Sequence, residues 1–236
     1  MKKINGLILI FAIAFTLFFI GPALLGGEFA PYPLMTIGDV LDLLTPIVLM
    51  PLYYLIFRAV RDEKNPVAAS VTFVVISAIW VEGQGMHLGA NAIGHHLSDF
   101  ILTDAYKLAY VIDEVLSHYI WHVGIVGMAL FLLYVQWKNP FASSWKPGVA
   151  VILAAILHGL TLFLIFIEGG TCPLGVLFCV IVVSLVIGWG RTKLRSEPIV
   201  TFFFIACLLT LILIVGWTIA WGGCLEISET PLSPWS

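Results

Sequence analysis

Six histidines are concentrated in the middle of the chain, where they stand beside carboxylates within apolar sequence. They are His87, His95, His96, His118, His122 and His158. Imidazole and carboxylate groups are the ligands with which proteins hold zinc and iron. Ionisable side chains inside a membrane segment are costly and usually serve a function. The sequence therefore predicts a buried metal site, provided that these apolar runs are membrane helices.

The stretch DEVLSHYIWH carries the clearest pattern. Glu114, His118 and His122 are spaced at i, i+4 and i+8, which places all three on one face of an α-helix. Two histidines at this spacing, beside a carboxylate, are a common way for a helix to present a metal. Asp113 and Ser117 fall on the adjoining face. There, Asp113 is a candidate general base and Ser117 a candidate hydrogen-bond donor to a developing oxyanion.

The stretch VEGQGMHLGANAIGHH repeats this pattern one helix earlier. His87, Asn91 and His95 follow each other at four-residue spacing, and Gln84 lies on the same face. Glu82 points elsewhere if the helix is regular. Glycine permits a membrane helix to bend or to approach a neighbour closely. We therefore expect the EGQG segment to distort and to bring Glu82 toward the histidines.

Depth in the membrane is compatible with one shared site. At 1.5 Å per residue, Glu82 lies roughly 22 Å from the cytoplasmic start of its helix, and Glu114 roughly 14 Å below the outer end of its own. His95 and His96 fall at the outer surface. The predicted metal ligands are His87, His118, His122 and His158, and the predicted catalytic groups are Asp113, Glu114, Glu82 and Ser117. His158, taken alone, is equally typical of a hydrogen-bonded packing residue.

The elements that must position these groups are membrane helices. Hydrophobic residues make up 61% of the 236-residue chain and charged residues only 11%, with a mean hydropathy of +1.06, whereas soluble domains carry about 25% charged residues. No alternating pattern indicates a β-barrel. The sequence predicts an all-α, polytopic integral membrane protein in a single domain, residues 1–236. Its seven transmembrane helices are predicted at Ile4–Leu25, Ile37–Val60, Val67–Leu88, Ala105–Val135, Val149–Ile167, Leu174–Trp189 and Ile199–Trp221.

Charge fixes the orientation of these helices. Ten of the eleven basic residues fall on one side of the predicted membrane, and Lys107 falls on the other. The positive-inside rule then places the N-terminus in the cytoplasm and the C-terminus outside it. Acidic residues, including Asp39 and Asp42, gather on the outer side, where they would attract cations. The first span has the basic start of a signal peptide, but its length favours a retained helix.

The four cysteines divide into two pairs. Cys172 and Cys224 both fall on the outer side, where an oxidising compartment would allow them to form a disulfide. Cys179 and Cys207 fall at different depths within helices and are predicted to be small packing residues.

A metal held by three protein ligands supports a specific functional hypothesis. Zinc with an open coordination position lowers the pKa of its bound water to about 7. We therefore predict a zinc-dependent hydrolase that acts on a lipid ester or amide at the outer half of the membrane. Iron is the alternative to zinc as the bound metal. The ingredients resemble those of the alkaline ceramidase and adiponectin-receptor superfamily. There, however, the paired histidines lie on the last helix, which contains no histidine here, so the likeness covers no contiguous stretch.

Three alternatives remain open at this point. A metal-ion or proton transporter or channel would fit the acidic outer side, although the cytoplasmic halves of the histidine-bearing helices offer few polar groups. A redox protein with di-iron or haem would fit the histidine and carboxylate content. A non-catalytic assembly subunit would keep the histidines for structure alone. Membrane lipid is the expected partner, nucleic acid is not expected, and the cell membrane is the expected location.

Overall fold

The chain folds into seven long apolar helices. A computed structural model describes residues 2–61, 66–141 and 148–231. Within these ranges the helices are α1 (Lys2–Leu24), α2 (Ile37–Val60), α3 (Pro66–His96), α4 (Asp104–Lys138), α5 (Val149–Glu168), α6 (Cys172–Arg195) and α7 (Pro198–Trp221). Each is long and apolar enough to cross a hydrocarbon core of about 30 Å. The protein is therefore an all-α, multi-pass integral membrane protein, and this prediction is confirmed.

Two helices differ from their predicted form. Helix α3 does not end near Leu88 but continues to His96, so its three histidines stand on one helix. Helix α4 is not a regular α-helix, because a π-helical turn at Val111–Ser117 separates its α-helical parts, Asp104–Tyr110 and His118–Lys138. A π-turn inserts extra residues into one helical turn. Glu114 still lies beside His118, as predicted, with Oε2 3.7 Å from Nδ1 of that histidine.

Glycines allow α3 and α4 to cross closely. On α3, Gly83 lies against the backbone of Trp121, and on α4, Gly124 lies against the backbone of Trp80. A Cβ atom on either glycine would overlap the opposite main chain. Helices α3 and α4 therefore cross with their backbones almost in contact, as small residues permit in membrane bundles.

Aromatic side chains fill the bundle on the cytoplasmic side of this crossing. The buried Trp80 ring packs against Tyr53 and Phe15, with centroids 5.3 and 6.3 Å away. Phe57 and Phe131 continue the contact, 5.4 Å apart. These edge-on and tilted contacts are the favoured aromatic geometries. These rings form an aromatic layer on the cytoplasmic side of the outer half of α3 and α4.

The two ends of the bundle differ in charge. Lys3, Arg58, Arg61, Lys138, Arg191, Lys193 and Arg195 stand at one end and Lys107 at the other. Lys64 and Lys146, which also entered the charge argument, lie outside the described residues. The positive-inside rule therefore assigns the basic end to the cytoplasm.

Two cysteines form a disulfide at the outer end of the bundle, and the other two are buried between helices. A disulfide joins Cys172 at the start of α6 to Cys224 after α7, as expected from their shared side. Cys179 and Cys207 are buried, and their thiols lie within hydrogen-bonding reach of each other between α6 and α7. The prediction that these two occupy different depths is wrong.

Candidate metal centre

The α3–α4 crossing brings two histidines together. His87 lies one turn outward from Gly83, and His118 lies one turn outward from Trp121 on the antiparallel helix. Because Gly83 touches Trp121, the next turn outward places the two imidazole rings side by side. Their centroids are 4.9 Å apart.

The π-turn of α4 adds a carboxylate to this pair. It buries Asp113, which is only 6% exposed, and points Oδ1 at Nδ1 of His87, 2.7 Å away. Ligand atoms of His87, Asp113 and His118 all lie within 4.8 Å of one another. Two bonds of about 2 Å to one ion span at most about 4 Å, so a bound ion would draw these side chains closer together.

The relation between His87 and Asp113 tests whether a metal fits. Nδ1 of His87 and Oδ1 of Asp113 are both buried and form an ion pair at 2.7 Å, which is the length of a charge-assisted hydrogen bond. Buried polar atoms are normally satisfied. The two groups satisfy each other in this way, and a cation shared by both atoms would replace their direct contact, because two ligands of one tetrahedral ion lie about 3.3 Å apart.

Helix α2 supplies a further carboxylate that the sequence analysis did not assign to the site. Asp42 is buried, and its Oδ2 lies 3.9 Å from Nε2 of His87. Nε2 of Gln84 donates a hydrogen bond to Oδ1 of Asp42 at 2.5 Å. Trp80 in turn donates to Oε1 of Gln84 at 3.4 Å. This polar chain holds Asp42 behind His87, where outer carboxylates typically orient metal-binding histidines.

A capping box fixes the start of the helix that carries Asp42. Thr36 accepts a hydrogen bond from the backbone of Asp39, whose side chain accepts one from the backbone of Thr36. This reciprocal cap marks the start of α2. Asp42 lies inside this helix, as the predicted span Ile37–Val60 had it, but no local pattern indicated that it faces His87.

His122 stands next to the cluster and has a partner of its own. Its ring is parallel to that of His118, with centroids 5.9 Å apart. Nδ1 of His122 lies 2.5 Å from Oγ1 of Thr171, and Gly169 lies so close to the ring that a Cβ would overlap it. His122 therefore anchors the α5–α6 turn, and the structure does not bring it into the three-residue group.

Two predicted site residues lie apart from the cluster. His158 is buried among Phe11, Phe15, Phe202 and Phe203, with ring centroids 4.3 to 5.8 Å away. Glu82 is exposed on α3, because the helix stays regular through EGQG. The expected distortion does not occur, and Glu82 points away from the histidines.

The remaining two predicted catalytic residues take different positions. Oγ of Ser117 is buried and donates to the main-chain carbonyl of Asp113, so it closes the π-turn and does not face a substrate. Glu114 is half-buried, with Oε2 3.7 Å from Nδ1 of His118. It therefore stands beside the group of potential ligands as a candidate general base.

A cleft of about 380 Å³ connects the cluster with the outer surface. Its walls are the outer parts of α3 and α4, and Asp113 and Glu114 lie at its inner end. Asn91, His95, Tyr106 and Tyr110 are among the residues that line it. The cleft therefore offers a route from the outer side to the carboxylates.

Acidic side chains surround this outer end. Glu168 accepts a hydrogen bond from the backbone of Ile227 at 2.9 Å, which brings the segment after α7 over the bundle. Burial raises the pKa of Glu226, and repulsion from Glu229 and Glu168 raises that pKa further. Crowded carboxylates of this kind make the local potential negative and concentrate cations.

Comparisons with known proteins identify two curated relatives. No protein-family model matches the chain, and no solved structure matches it. The dog (Canis lupus familiaris) ceroid-lipofuscinosis neuronal protein 6 homolog is 28% identical over 214 residues, which cover 82% of this chain and 67% of the relative. The human ceroid-lipofuscinosis neuronal protein 6 is 26% identical over 192 residues, covering 71% and 60%. The chain is thus similar, over most of its length, to roughly two thirds of these proteins.

Proposed function

We propose that this protein is a membrane-embedded, zinc-dependent hydrolase. The observation that carries the proposal is the convergence of His87, Asp113 and His118, whose ligand atoms lie within 4.8 Å of one another. Two histidines and one carboxylate leave a coordination position open in a tetrahedral site. Zinc held in this way supplies a hydroxide nucleophile at neutral pH.

The surrounding residues have separate roles in this proposal. Asp42, held by Gln84, orients the imidazole of His87. Glu114 accepts protons at the inner end of the cleft. Asn91, which lines the cleft, donates a hydrogen bond to the carbonyl oxygen of the substrate. It replaces Ser117 in this role, because the hydroxyl of Ser117 is already bonded to the backbone.

The same three donors support iron as the second candidate metal. Two histidines and one carboxylate are the ligand set of non-haem iron oxygenases. An iron-dependent redox activity is therefore the alternative that shares this geometry, and metal analysis separates the two.

The aromatic layer beneath the cluster supports a one-sided site over a transport path. Tyr53 and Phe15 both pack against Trp80, which lies two helical turns inward of His87 on α3. An ion or proton path needs polar groups or water through the cytoplasmic half. A catalytic centre that is reached from the outer side needs neither.

The substrate class follows from the position of the cleft. It opens where α3 and α4 leave the membrane, so a molecule with an apolar tail in lipid and a polar head outside can reach it. An amphipathic ester or amide has this form.

The Cys172–Cys224 disulfide fits two locations. It is compatible with the outer face of the cell membrane and with the luminal face of a secretory membrane, and fractionation of cells distinguishes the two.

Hydrolysis by the purified protein tests this proposal. The chain is reconstituted in lipid nanodiscs with p-nitrophenyl dodecanoate or dodecanoyl p-nitroanilide, and product release is followed before chelation, after it and after zinc is restored. We expect activity that chelation abolishes and zinc restores, that Asp113→Asn removes, and that Asp42→Asn lowers by about 10- to 100-fold.

His96→Ala is the control, because this histidine is exposed at the outer end of α3, the helix that carries His87. It should leave the activity unchanged. Chelator-insensitive hydrolysis, or equal activity in Asp113→Asn, would contradict the proposal. Zinc-dependent ion flux in vesicles without hydrolysis would favour transport.

A further inference from the structure

Glu82 presents an acidic side chain to the lipid. It is exposed on the outside of the bundle, roughly 22 Å from the start of the apolar span at Val67. Its level is close to that of Gln84, which contacts Asp42 inside α2. Within the described part of the chain, no hydrogen bond or ion pair involves Glu82. A carboxyl group in this position is costly unless a partner satisfies it.

The same face of α3 is otherwise made of small residues. Ala78, Glu82, Gly85 and Gly89 fall within about 60° of one another at 100° per residue. All four are exposed, and no atom lies within 4 Å of where a Cβ on Gly85 or Gly89 would stand. Gly83, by contrast, is packed against α4. Small residues four positions apart let a second helix approach the backbone, and α3 is the least covered of the seven spans.

We propose that this face, defined by Ala78, Glu82, Gly85 and Gly89, binds a transmembrane helix of another protein. That helix carries a lysine or arginine at the depth of Glu82. The glycines provide the close approach, and the carboxylate pairs with the cation. The attraction between two opposite charges is stronger in the low dielectric of the membrane than in water, and a cation would remove the cost of leaving this carboxyl group without a partner.

Charge complementarity excludes a second copy of this chain as the preferred occupant. The basic residues of the described ranges lie at the ends of the helices, with Lys107 outside and the others at the cytoplasmic end. A second copy therefore has no lysine or arginine at the level of Glu82. In a parallel pair, α3 against α3, it would set two carboxylates against each other.

A synthetic helix of defined sequence tests the proposal directly. The chain carries a fluorescent donor and is reconstituted in phosphatidylcholine vesicles with an acceptor-labelled 23-residue leucine–alanine helix that has one central arginine. Energy transfer is measured against the peptide-to-lipid ratio. We expect association with this peptide, and about tenfold weaker association with a matched peptide that has leucine at the centre.

Variants of the chain locate the contact. Glu82→Gln and Gly85→Leu should each weaken association with the arginine peptide by about tenfold. Gly216→Leu on α7 is the matched control, because Gly216 is also exposed, with no atom within 4 Å, and it should have no effect. Glu82→Gln keeps the shape of the side chain, so it tests the charge even if the glycine variant folds poorly.

Two results would overturn the proposal. The first is equal association of the arginine and leucine peptides, or association that Glu82→Gln does not change. The second is self-association of the chain that Gly85→Leu abolishes, which would assign the face to a second copy. Neither result depends on metal binding or hydrolysis, because Glu82 lies outside the metal cluster.

Discussion

Asp42 offers a test of the proposed metal centre at the scale of a single residue, because it would act on a bound ion without touching it. It contacts His87 from behind at 3.9 Å and is itself held by Gln84. We expect Asp42→Asn to weaken zinc binding by about 10- to 100-fold without abolishing it, because such outer carboxylates set the orientation and basicity of the ligand. Competition with a zinc-chelating dye measures the affinity. An unchanged affinity would mean that Asp42 has no part in the centre.

Ser117 has one role in the structure and another in the sequence-based prediction, and a single variant distinguishes them. Its hydroxyl donates to the carbonyl of Asp113 within the π-turn. We expect Ser117→Ala to cost about 1 kcal/mol of stability, the net value of one hydrogen bond, and to leave the turnover number close to that of the native chain. A donor to an oxyanion would instead cost about 10²- to 10³-fold in turnover. Thermal unfolding and the nitrophenyl ester assay distinguish the two.

At the scale of elements, the α3–α4 crossing is what assembles the centre. Gly83 and Gly85 are two residues apart on α3, yet only Gly83 meets the backbone of α4. We expect Gly83→Leu to destabilise the fold by about 1–3 kcal/mol or more through overpacking and to separate His87 from His118, so that zinc binding falls as well. Gly85→Leu should change neither the unfolding midpoint nor zinc binding. Equal effects of the two variants would contradict the crossing.

The same elements show what the sequence could predict. Apolar run lengths predict all seven spans, and four-residue spacing predicts that His87 and His118 lie on facing sides of neighbouring helices. The sequence predicted Asp113 as a general base beside the site and not as a potential ligand in line with His118, because the wheel assumes 3.6 residues per turn and Val111–Ser117 forms a π-turn. Glu82 was misplaced for the opposite reason, since α3 stays regular where its glycines suggested a break. The separation of His158 depends on packing between distant helices, which no local pattern records.

At the scale of the whole molecule, the disulfide links the last three helices at the outer end. Cys172 adjoins Thr171, whose hydroxyl lies against His122. We expect Cys172→Ser with Cys224→Ser to lower the free energy of unfolding by about 2–4 kcal/mol. A reductant should lower the unfolding midpoint of the native chain and not that of the double variant. Equal responses of both proteins to the reductant would show that the bond does not stabilise the bundle.

The most direct test of the metal centre is the zinc stoichiometry of the purified protein in nanodiscs, measured by mass spectrometry together with titration of the stripped protein. The account predicts one tightly bound zinc ion per chain, lost in His87→Ala, Asp113→Asn and His118→Ala. His158→Gln, which changes a buried histidine outside the cluster, should retain it. A native chain that binds no transition metal, or three folded cluster variants that keep the ion, would contradict the account.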